Sequence, residues 1–140
     1  IKIDCDVLQA DGGTRCASIT GGYVALVMAL RQLERARVIN DYTEVLKHQI
    51  AAVSCGVFEG NAILDLDYAE DSNAQADTNF VMTAEGKIVE VQGTAEDGPF
   101  DQTQLSAMMA IATKGVAELA AAQNKALMAA AMKESGLTSR

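Results

Sequence analysis

Two short stretches concentrate the residues able to do chemistry. The first, DLDYAEDSNAQADTNFVMT at positions 65–83, holds five carboxylates: Asp65, Asp67, Glu70, Asp71 and Asp77. Crowded carboxylates repel one another unless a proton or a cation sits among them. Magnesium suits such a place, because it takes one or two carboxylates and completes its shell with water and substrate phosphates. Asp71 and Asp77 are six positions apart, about 600° of rotation on one helix, so they would not share a helix face. They converge only if a helical turn ends near Asp71 and a strand begins near Asp77. Asp65 and Asp67 are two apart on an expected strand, so they share one of its faces and compete for the same role. A solvated acidic loop is the alternative reading of the whole stretch.

The second stretch is DGGTR, positions 11–15. Gly-Gly permits a tight turn with positive φ, and Thr14 is a possible helix cap. From Arg15 the sequence turns helical. Free N–H groups at a helix start, the helix dipole and the Arg15 cation would all point toward one anion. The GK[ST] element of a Walker loop is absent. An ordinary strand-to-helix turn with Arg15 in water explains the same residues.

The elements that must position these residues follow from patterning. Residues 1–7 alternate Ile1, Ile3, Cys5 and Val7 against Lys2, Asp4 and Asp6, the period of a half-buried strand. The helix that follows is apolar all round from Tyr23 to Leu30, which marks it as buried. Positions 38–47 are polar and read as a connection. Residues 50–58, IAAVSCGVF, read as a strand covered on both faces. Glu59-Gly60-Asn61 turns the chain into a return strand at 62–66. A helical turn at 68–73 precedes a second hairpin, strands 77–83 and 87–94 around Ala84-Glu85-Gly86, with Val89 and Val91 alternating against Glu90 and Gln92. A loop runs over 93–99. Asp101 and Gln104 form a capping box. In the long helix beyond it, Leu105, Met108, Ala112, Val116 and Leu119 make an apolar stripe that weakens after Ala120, and Gly136 ends the helix. The expected fold class is α+β, one domain over residues 1–140, an antiparallel or mixed sheet packed with two long helices.

Composition narrows the function classes. The chain has 140 residues, enough for one domain with a real core, and only 4% of them are aromatic, so that core is aliphatic. A net charge of −8 does not suit a protein that grips nucleic acid over a broad surface, so any polyanion site must be local. Cys5, Cys16 and Cys55 are odd in number and lack metal-ligand spacing, as in a cytoplasmic protein with reduced thiols. His48 is the single histidine and reads as a strand-edge or surface residue. No apolar run is expected to cross a membrane, and no leader is read at the start.

Taken together, IDCDVLQADGGTR, a buried helix, LDLDYAEDSNAQADTNFVMT and VEVQGTAE closely resemble the C-terminal part of the bacterial ribonuclease PH family, over positions 1 to about 128. Polynucleotide phosphorylase and the exosome ring share that fold more loosely. The resemblance implies a fold like domain 2 of ribosomal protein S5. It implies phosphorolytic removal of nucleotides from RNA 3′ ends, chiefly in tRNA maturation, with rRNA processing also in view, and a ring of six subunits. By motif, Gly13, Thr14 and Arg15 match the family's phosphate-binding element, and Asp71 and Asp77 match its catalytic, metal-associated pair. Inorganic phosphate would be the co-substrate, Mg²⁺ (or Mn²⁺) the cofactor and a tRNA precursor 3′ end the partner, with no membrane. One of the two acids is a candidate proton donor to the leaving 3′ oxygen.

The sequence departs from the family pattern at three places. Cys16 stands where GGTRT has its last threonine, and Asp77-Thr78-Asn79 stands for DMN. The family's N-terminal half is not in the chain, nor is a second phosphate-contacting arginine in a GRT motif. A fragment silent without that half, a non-catalytic ring or scaffold subunit of the same fold, and an independent small-anion-binding domain are therefore the competing expectations. The first of these carries an exposed apolar patch and an oligomeric state with it.

Overall fold

The computed structural model describes residues 1–134. Four antiparallel strands form one sheet in the order β2-β1-β3-β4, where β1 is Ile50–Phe58, β2 Asn61–Leu64, β3 Ala76–Thr83 and β4 Ile88–Ala95. Two long helices flank it, α1 (Thr14–Arg35) and α4 (Gln102–Glu134), with single helical turns at α2 (Tyr42–Val45) and α3 (Tyr68–Asp71). The architecture is α+β, as patterning indicates.

β1 is buried along almost its whole length, which is why its sequence is a continuous small-apolar run. Its odd positions, Ala51, Val53, Cys55 and Val57, join Phe80 and Met82 of β3 beneath Met108, Ala112 and Val116 of α4. Its even position Ala52 joins Val81 beneath Cys16 and Ile19 of α1. The β1–β2 turn places Glu59 at φ 49° and Gly60 at φ 77°, the paired positive angles of a two-residue hairpin. β2 pairs only with residues 55–58 of β1, leaving the other half of that edge open. Side chains close it. The Thr20 hydroxyl accepts from the Ala52 N–H and donates to the Ala52 carbonyl, and the Gln123 amide donates to the Ile50 carbonyl. The same Gln123 amide donates to the Thr20 carbonyl, so α1 and α4 meet around the open edge.

α4 starts with the expected capping box, Asp101 Oδ1 accepting from Gln104 N–H and Gln104 Oε1 accepting from Asp101 N–H. Its stripe of Met108, Ala112 and Val116 is fully buried. The stripe does not end at Ala120: Gln123 and Leu127 are buried too, Gln123 through the hydrogen bonds just described. Gly136 lies outside the described residues.

Five expectations are corrected. Residues 1–7 are not a strand; they run as coil with no ladder partner among the described residues, and alternation alone cannot make a strand without a neighbour to pair with. Thr14 does not cap α1: Gly13 is the cap residue and makes no side-chain bond, while Thr14 Oγ1 donates to the Asp11 carbonyl. The apolar middle of α1 is not covered all round, since only Val27 and Leu30 there are buried. Positions 38–47 contain α2, capped by Asp41. β4 is exposed on both faces, Val89 and Val91 included, because it is the sheet edge and none of the described helices lies over it. In addition, α1 and α4 are each long and apolar enough to cross a membrane by length and composition, contrary to the expectation that no run is. In the structure both lay apolar residues on the sheet.

Candidate functional site

Residues directly opposite on neighbouring antiparallel strands share a face. The register therefore assembles two polar rows on the α1 side of the sheet: Gly56, Asp77 and Thr94, then Ser54, Asn79 and Gln92. The next row is Ala52, Val81 and Glu90, which is where α1 begins to cover the sheet. The N-terminal turn of α1 opens beside these rows.

Gly13 holds that turn at φ 69°, ψ 18°, a left-handed conformation that favours glycine. A Cβ there would also lie 3.1 Å from Ser54 Oγ. Gly12 is closer still to its neighbours, for a Cβ on it would run into the Leu66 carbonyl. Asp11 Oδ1 accepts from both Gly12 N–H and Tyr68 N–H, tying the turn to α3. The turn and the acidic segment are thus in backbone contact. A cavity of about 520 Å³ beside them is lined by Gly12, Gly13, Cys16 and Ala17 with the carboxylates Asp65 and Glu118.

Arg15 reaches out of this turn to Glu90 on β4, with Nη2 2.8 Å from Oε1 and both side chains about half exposed (46% and 45%). A pair so exposed holds Arg15 with an energy of only about 0–1 kcal/mol. An incoming anion can therefore compete for the guanidinium. Sequence reading missed Glu90, although its alternation with Val89 and Val91 already put it on one face with Gln92.

Asp71 and Asp77 are brought together. α3 ends at Asp71, the chain runs through buried Ala74, and β3 begins at Ala76, the turn-then-strand geometry that their spacing demands. Burial pushes the Asp77 carboxyl above the ordinary carboxylate value, with the Asp71 charge next and Glu96 after it. Asp77 Oδ1 is buried and has no hydrogen-bond partner. Glu96, just past β4, is a contributor the sequence reading did not name.

Asp65 and Asp67 do not form a rival pair on one strand. Asp67 caps α3, accepting from Glu70 N–H while Glu70 Oε2 accepts from Asp67 N–H. Asp65 lies past the end of β2 with φ 60°, its N–H donating to the Ser54 carbonyl. It faces the α1 turn: its Oδ1 would be 3.9 Å from a Cβ on Gly13. An anion bound at the turn would meet that charge, so Arg15 and any cation nearby must offset it.

Among the described residues no three His, Cys, Asp or Glu side chains are grouped to hold a metal ion. The coupled pair Asp71 and Asp77, with the orphaned Asp77 oxygen, fits a hard cation that draws the rest of its shell from water and phosphate. The three cysteines are free thiols, and burial pushes Cys16 up to about 11 and Cys55 to about 12, so neither serves as a thiolate. His48 is exposed ahead of β1.

Residues 48–115 match the model of the 3′ exoribonuclease family, domain 2. The matched segment runs from the start of β1 into α4; it carries Asp71 and Asp77, and the α1 turn precedes it. The structure is similar to that of rice (Oryza sativa) Rrp46, at 20% sequence identity and a TM-score of 0.67 over 86% of this chain. The alignment covers 51% of the rice chain, so the chain spans about half the length of that relative. The fold is that of the ribonuclease PH-like second domain: a four-stranded antiparallel sheet with a long C-terminal helix.

Proposed function

We propose that this chain carries the phosphate-binding and acidic elements of a phosphate-dependent 3′–5′ exoribonuclease of the ribonuclease PH type, acting on tRNA precursor 3′ ends within a six-membered ring. The observation that carries the reading is the half-buried Asp77 carboxylate, whose Oδ1 has no hydrogen-bond partner and which feels the Asp71 charge, on the sheet face where the α1 turn opens. The family match to residues 48–115 supports it.

In this reading Gly13, Thr14 and Arg15 hold inorganic phosphate, the arginine exchanging Glu90 for the anion. A phosphate oxygen attacks the phosphorus of the terminal phosphodiester. The bond from that phosphorus to the 3′ oxygen breaks, releasing a nucleoside diphosphate. The leaving 3′ oxygen takes a proton from one of the acidic pair. Asp71 and Asp77 would hold Mg²⁺ or Mn²⁺, which when bound offsets charge on the transferring phosphoryl group. The acidic net charge of −8 agrees with a local phosphate site that leaves most RNA contacts to other parts of the assembly.

A second reading, a ring subunit without catalysis, draws on the Arg15–Glu90 pair, which occupies the one cation of the turn. One assay separates the two: an RNA labelled at its 3′ end is incubated with the protein in its assembled form, with and without inorganic phosphate. Phosphate-dependent release of nucleoside diphosphate is the expected result. Release of nucleoside monophosphate without phosphate, or no release at all, overturns the proposal.

A further inference from the structure

The Cys16 thiol donates a 2.8 Å hydrogen bond to Asn79 Oδ1. Cys16 belongs to the first turn of α1, and Asn79 lies on the polar face of β3 two residues beyond Asp77. Fixing the amide oxygen on the thiol sends the amide nitrogen, with its two N–H donors, the other way. No acceptor among the described residues takes those donors. Asn79 is half-buried and its amide nitrogen still reaches solvent, where an incoming ligand can meet it.

We propose that Asn79 is a substrate-contacting residue of this site, its amide nitrogen donating to the phosphate held at the α1 turn, and that Cys16 is the positioning residue that aims it. The inference rests on the reading of the turn as a phosphate site. A neutral donor has a reason to be here. Asp65, Asp77 and Glu90 already surround the turn against the single cation Arg15, and a second cation would pair with one of them. An amide offers donors to an anion without being captured in that way. The aim is steady because Ile19, Ala52 and Val81 enclose the thiol in apolar contacts and keep it a donor. Cys16 follows Arg15 directly, so one helical turn presents the cation and sets the amide.

The test is a titration of ¹⁵N-labelled protein with inorganic phosphate, followed at the Asn79 side-chain amide and at the backbone amides of Gly13 and Thr14. All three are expected to shift along one binding curve. Cys16→Val removes the donor and should weaken phosphate binding about threefold while the Asn79 response collapses; Cys16→Ser should restore both. In the phosphorolysis assay, Asn79→Ala should raise KM for phosphate about tenfold with a smaller change in KM for RNA. Movement of the turn amides with a silent Asn79 overturns the inference and leaves the phosphate site standing. An Asn79 response unaltered by Cys16→Val overturns the positioning role. Silence at Gly13, Thr14 and Asn79 alike removes the phosphate reading and the inference with it.

Discussion

The two faces of one sheet have been put to opposite uses. Toward α4, β1 and β3 present Ala51, Val53, Cys55, Val57, Phe80 and Met82, with one polar exception, the fully buried Thr78, whose hydroxyl also lacks a partner. Toward α1, the same two strands present Ser54, Gly56, Asp77 and Asn79, and two of these side chains leave a buried oxygen without a partner. A strand's period of two makes this division possible, since neighbouring residues face opposite ways. The α4 face supplies the burial that holds the strands in place under the site. The α1 face then tolerates unsatisfied groups that would be disfavoured in a free-standing structure.

The comparison breaks if the two faces prove to carry the same property. Phe80→Ala should have the largest effect, about 3–5 kcal/mol of stability in urea unfolding, with phosphate binding intact in the molecules that stay folded. A drop in phosphate affinity without loss of stability would show that the α4 face takes part in the chemistry.

Asp77→Asn should do the reverse. Phosphorolysis should fall about 100- to 1,000-fold, while the unfolding midpoint at neutral pH holds or rises, because a half-buried charge has been removed. Asp65→Asn is the control that sharpens this assignment, and an equal loss there at equal stability would shift the acidic pair toward the turn.

Arg15→Ala should raise KM for phosphate roughly 10- to 100-fold, as expected for one charged hydrogen-bonding group, with RNA affinity much less affected. Glu90→Gln should act in the opposite direction, tightening phosphate binding by roughly twofold to fivefold, because the exposed pair it releases is worth up to about 1 kcal/mol. Weaker phosphate binding in Glu90→Gln would mean that Glu90 orients Arg15 instead of competing for it.

The smallest effect is in the pH dependence of stability without metal. The Asp77 carboxyl is raised in the fold by burial and then by Asp71, so the folded state holds its proton more tightly than the unfolded chain does. The stability this group contributes is fully present below the ordinary value of 3.8 and is lost as pH rises through the higher folded value. Relative to Asp77→Asn, the wild type should therefore gain thermal stability on acidification across that window. A difference in melting temperature that does not change with pH would remove the burial argument.

Much of this was legible in the sequence where the signal is local. The run at 50–58 states its own burial, the Asp101–Gln104 capping box is contained in four residues, and the spacing of Asp71 and Asp77 could be met only by a turn followed by a strand. What escaped depends on partners distant in the chain. Residues 1–7 alternate like a strand but pair with no strand among the described residues. Glu90 and Arg15 are 75 positions apart, and nothing in either segment announces the other. Gln123 reads as the polar end of a stripe, yet it is buried because β1 stops pairing with β2 halfway along its edge. The left-handed Asp65 breaks the alternation that would have set it beside Asp67.

Gly12 gives the site its ruler. Because only a hydrogen fits between its α-carbon and the Leu66 carbonyl, the spacing between the helix start and the acidic segment is set by main chain against main chain. Side-chain repacking cannot adjust a distance fixed in that way. Changes to the acidic segment would be felt at the α1 turn as whole-loop displacements, and the two segments could diverge in sequence only together. Widening the gap would take a longer loop on one side, since any side chain at Gly12 collides with the Leu66 carbonyl.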